Sequence, residues 1–62
     1  MPSNNLHNLM TQLVQEQKSL WRIENNYIAE AESAEERAFW EEMSISKKAQ
    51  IEELKNLLKE NM

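Results

Sequence analysis

An all-α fold, an antiparallel hairpin of two helices, is the expectation for this 62-residue chain. Three observations lead to it. The sequence holds no Gly, and its one Pro stands at position 2, while Glu, Lys, Gln, Leu and Ala are abundant. A chain so short of breakers and so rich in helix formers is helical nearly throughout. Its two halves carry apolar stripes that are out of phase, and Ser33 and Glu36, between the halves, have the spacing of a capping box.

The phase argument decides for two helices over one. In the first half a seven-residue row runs through Leu6, Leu13, Leu20 and Tyr27. Continued onward it meets Ala34, Glu41, Lys48 and Lys55, which make a poor seam. The bulky residues of the second half, Trp40, Met43, Ile51, Leu54, Leu57 and Leu58, form a stripe of their own. At about 100° per residue the two stripes differ by roughly 150°. A single rod would carry its apolar faces on nearly opposite sides; a corner between two helices removes the conflict.

That corner falls in Ala31-Glu32-Ser33-Ala34-Glu35-Glu36. The Ser33 hydroxyl is placed to accept from the Glu36 backbone N–H, with the Glu36 carboxylate reaching back to the N–H of Ser33. Glu35 and Glu36 put negative charge in the first turn, where the helix dipole favours it. The first helix is therefore expected over about residues 5–31, the turn at about 32–33 and the second helix over about 34–60. Residues 1–5 read as a lead-in with Ser3, Asn4 or Asn5 as N-cap. The inner face of the first helix collects Leu6, Leu9, Met10, Leu13, Leu20, Tyr27 and Ile28, with Val14, Trp21 and Ile23 at its edges. That of the second collects Trp40, Met43, Ile51, Leu54, Leu57 and Leu58, with Phe39 flanking.

Composition excludes several classes of function. Without Cys there is no disulfide, thiolate metal ligand or cysteine redox chemistry. Apolar runs long enough for a transmembrane helix are absent, and the start Met1-Pro2-Ser3-Asn4-Asn5 has no signal-peptide character, so a cytoplasmic location is expected. The acidic residues are all Glu, and the net charge is −4 with Lys and Arg scattered among glutamates. A nucleic-acid backbone or an anionic membrane surface is not the expected partner. His7 is the only histidine and lies near the N-terminus. No Ser-His-Asp arrangement can be built without Asp, and no enzyme activity, catalytic residue, metal ligand set or cofactor is expected.

Two helices alone leave these wide stripes partly wet, and chains this small have net stabilities near zero. Self-association is the usual remedy, so the hairpin is expected to pair as a homodimeric four-helix bundle. On a helical wheel Gln17 and Glu24 fall on the first apolar face, and Lys47 and Gln50 on the second. These four are expected to form a buried polar layer, with Glu24 paired to Lys47 within a chain or across the dimer, that fixes register and oligomer state. Trp21, Tyr27, Phe39 and Trp40 lie toward the corner as a packed aromatic layer, or as interface anchors for a protein partner. The function expected is a small structural or protein-interaction module.

The inward acid Glu24, the aromatic-rich corner and the run Ile51-Glu52-Glu53-Leu54 resemble small two-helix relatives of the ferritin-like and rubrerythrin-like proteins. Di-iron bundles of that kind combine inward glutamates with Glu-x-x-His. No Glu-x-x-His occurs here: Lys47 stands in the Glu place and Gln50 in the His place. An ammonium takes a cation's place beside a carboxylate rather than ligating metal, so the resemblance carries over Glu24 alone and implies a metal-free relative. The alternative it raises is a metal-binding dimer in which Glu24, with Glu16 or other glutamates of two subunits, holds iron or another divalent ion.

Overall fold

Helix formers without an interior breaker produce long helices, and a computed structural model of the chain, describing residues 4–61, contains two of them packed side by side. The first is α-helical over Asn4–Arg22, passes through a π-helical segment over Ile23–Tyr27 and ends in an α-helical turn over Ile28–Glu30. The second runs unbroken over Ala34–Glu60. The hairpin measures 48 × 15 × 13 Å. Ser3, a candidate N-cap, lies outside the described residues, and the helix is already under way at Asn4.

The corner turns without glycine because every described residue keeps a negative φ. Ala31 (φ −61°, ψ 133°) and Ser33 (φ −143°, ψ 160°) are extended, a conformation open to any L-residue. The Ser33 Oγ accepts from the Glu36 N–H at 3.1 Å. The Glu36 carboxylate reaches one residue further back than the capping-box spacing implies, accepting from the N–H of Glu32 at 3.4 Å. At the far end the Asn61 side-chain amide donates to the Leu57 carbonyl at 2.7 Å, closing the helix where glycine would be usual.

The seam of the first helix follows alternating three- and four-residue steps through Leu6, Leu9, Leu13, Glu16, Leu20 and Ile23, all at least half-buried. It then takes a five-residue step to Ile28, followed by Ala31. The π-helical turn makes that step: the Ile28 N–H bonds to the Ile23 carbonyl five residues back. The Asn25 amide donates to the Trp21 carbonyl at 2.9 Å where the bonding ladder changes pitch. The opposing seam runs through Trp40, Ser44, Lys47, Ile51, Leu54 and Leu58, with Met43 beside it.

This packing corrects the expected inner faces. Ile23, placed at an edge, is the most buried side chain at 1% exposure. Met10, placed inside, is exposed, as is Leu57, and Tyr27 is only partly covered. A single-phase wheel averages the stripe before and after the extra residue, and including Met10 and Ile28 rotates that average away from the true seam. Ser44 is buried with its Oγ donating to the Glu41 carbonyl at 2.7 Å, so the hydroxyl is satisfied within its own turn.

Removing the cap at the corner isolates its contribution. Ser33→Ala should cost about 1 kcal/mol, whereas Ser33→Asp, which still presents an acceptor, should stay within a few tenths of the parent. Urea unfolding followed by circular dichroism measures both.

Candidate functional site

The seam carries one pair of opposite charges. The Lys47 Nζ donates to the Glu16 Oε2 at 2.6 Å, a contact between residues 31 positions apart. The side chains are 19% and 16% exposed respectively, so the pair is largely sheltered between the helices. The other oxygen of Glu16 accepts from the Gln12 amide at 2.9 Å, one turn earlier. Both carboxylate oxygens therefore have donors, and no buried side-chain nitrogen or oxygen lacks a partner among the described residues. The hydrogen bond from Lys47 holds the Glu16 carboxyl below the usual glutamate value, outweighing the upward push of burial, with Gln12 adding to the lowering.

Within one chain Lys47 pairs with Glu16 and not with Glu24, the partner expected for it within a chain or across the dimer. Glu24 lies within the π-helical turn, about two turns from Glu16, and pairs at the surface with Lys48 at 3.1 Å. With side chains 41% and 58% exposed, that contact is a solvated ion pair of little energetic weight. The four expected layer residues do not come together within the hairpin. Gln17 and Glu24 line a groove on one side of the seam, with Leu20, Trp21, Lys48 and Ile51. Gln50 lines a groove on the other, with Gln12, Glu16, Leu54 and Leu57. Gln17, Glu24 and Gln50 are exposed in the single chain; only Lys47 is seam-facing.

Glu16 was missed as a seam residue, although a signal for it was present. Leu9, Leu13, Leu20 and Ile23 leave a gap in the three–four rhythm at position 16, and the residue filling that gap must face the partner helix.

Of the four aromatics, three gather near the corner. Tyr27 and Trp40 meet with ring centroids 4.9 Å apart at 47°, and Phe39 packs edge-on to Trp40 at 5.2 Å. These are favourable tilted geometries. Trp21 lies outside this cluster and is 59% exposed on the groove shared with Gln17 and Glu24. Among the described residues no group of three or more His, Cys, Asp or Glu is arranged to hold a metal ion, and Glu16 and Glu24 are each engaged by a lysine. No helix among them is long and apolar enough to cross a membrane.

No family model matches the chain, and neither does any curated protein or solved structure.

Two outcomes test the seam pair. Lys47→Met, which strands the Glu16 charge, should destabilise the hairpin by about 1–3 kcal/mol. Glu16→Leu with Lys47→Met together should recover most of that loss, and a double-mutant cycle on Glu24 and Lys47 should show additivity. The second outcome is pH dependence. Because the folded-state value of Glu16 is depressed, its contribution is complete above the ordinary glutamate pKa of about 4.3 and is lost as pH falls through the lower folded value. Relative to the parent, Glu16→Gln should flatten that acid limb in urea midpoints measured across the range.

Proposed function

We propose that the chain is a non-enzymatic helical module whose function is assembly: two hairpins join into a four-helix bundle, which serves as a structural or protein-interaction unit. The observation that supports this most is the apolar surface a single hairpin leaves in water. Ile23 and Ile51 are the buried hydrophobic side chains among the described residues, and Ile23 alone is fully enclosed. Met10, Val14, Trp21, Phe39, Ile45 and Leu57 remain exposed.

Size sharpens the point. A compact protein of 7.4 kDa exposes about 4,200 Å², and this hairpin exposes 4914 Å². Its radius of gyration is 14.2 Å, against about 11 Å for a compact chain of this length. Covering those exposed apolar side chains with a second copy gains about 25 cal/mol per Å² of apolar area removed from water. The same surface is where a protein partner with apolar anchors would dock.

Mass, rather than radius, tests this reading, because the hairpin is already elongated. Light scattering should give twice the 7.4 kDa chain mass at micromolar concentrations. The melting temperature should rise with protein concentration and be indifferent to chelator. A monomer whose melting is independent of concentration would sink the proposal.

A further inference from the structure

We infer that the hairpins meet through one face in particular: the first helices of two copies pack antiparallel on each other, with Gln17 at the two-fold axis and Trp21 as the anchor on either side. This rests on the self-association proposed above and adds to it which surface is used and how it is arranged.

Beside the seam of the first helix runs a second row at the same rhythm, Met10, Val14, Gln17, Trp21 and Glu24, displaced by about 100°. Its three apolar members are all exposed. The row is continuous, and the groove next to it has Leu20 and Ile51 in its lining. The opposite side of the seam is less suited to pairing. There Phe39 and the half-buried Met43 are separated from Leu57 by Ser46, Gln50 and Glu53, and Phe39 is already engaged with Trp40.

A second copy is the occupant that matches this row. Gln17 sits at its middle and carries no charge, and a primary amide both donates and accepts, so it can pair with its own symmetry mate. Antiparallel pairing about Gln17 brings Trp21 of one copy to the level between Met10 and Val14 of the other. Glu24, the one charge in the row, comes level with Met10 of the other copy and keeps its Lys48 partner at the rim. Within the row itself no like charges oppose. The alternative two-fold, parallel to the helices, would lay the apolar row against Ile45, Lys48, Glu52 and Lys55 and desolvate the three charges without new partners.

The chain has no Cys, so a single introduced cysteine reports one contact. A disulfide needs Cα atoms within about 7 Å, which residues on a two-fold axis between packed helices satisfy. Gln17→Cys is therefore expected to convert most of the protein into a disulfide-linked dimer under mild oxidation, while Gln50→Cys stays largely unlinked. In light scattering of the reduced proteins, Trp21→Lys should raise the dimer dissociation constant at least tenfold, and Leu57→Lys should leave it within twofold. Circular dichroism accompanies each variant; if Trp21→Lys unfolds on dissociating, the Gln17→Cys result still decides. Dimeric mass with linkage at Gln50 alone, or at neither position, overturns this face and leaves self-association standing. Monomeric mass at every concentration overturns both.

Discussion

The rest of the hairpin depends on the extra residue accommodated between Ile23 and Ile28. A π-helical turn costs backbone geometry, and such turns stay short for that reason. Here it allows two stretches of the first helix with different phases to face the same partner. Upstream, the three–four rhythm from Leu6 to Ile23 buries one row. Downstream, Ile28 and Ala31 resume it after a five-residue step. The same step accompanies the contact of Tyr27 with Trp40, while Glu24, beside Ile23 in the outer row, pairs with Lys48. The Asn25 side chain bonds the Trp21 carbonyl where the ladder shifts, so the irregular turn does not strand that acceptor.

Within the seam so defined, Glu16 and Lys47 are, among the described residues, the one oppositely charged contact between residues otherwise mostly aliphatic. Sheltered pairs are not automatically stabilising, since desolvation offsets much of the attraction. This one is positioned at the edge of the seam, where the lysine stem can cover apolar surface while its ammonium stays partly wet. Its clearest consequence is register. Sliding the second helix by one turn would put Lys47 opposite leucine and leave the Glu16 carboxylate with Gln12 alone. Leucines by themselves discriminate poorly between such registers, because one methyl-rich contact replaces another.

The packing inside one chain and the surface left outside it have a common cause. Two helices meet along a single line, so each can bury one row of side chains and no more. Where a helix carries apolar residues in two rows, the second is left for another partner. The first helix does so through Met10, Val14 and Trp21, and the second helix less continuously through Phe39, Ile45 and Leu57. Stability and assembly are thus coupled in a chain too small for a core of its own.

The sequence by itself determined the helices, their number and the place of the corner. These follow from propensity, stripe phase and a Ser33 cap, all of which act within a few residues along the chain. It also held the exposed second row, visible as apolar residues too many for one seam. Only the tertiary structure decided which row faces inward and which charges meet. Glu16 meets Lys47 from the regular part of the seam, whereas the burial of both Ile23 and Ile28 turned on a one-residue change of helical pitch at Ile23–Tyr27. No local propensity encodes that change, because nothing in Ile23-Glu24-Asn25-Asn26-Tyr27 forbids an ordinary α-helix. It is selected by the opposing helix, which offers burial to both Ile23 and Ile28, and a regular 3.6-residue repeat cannot place those two on the same line.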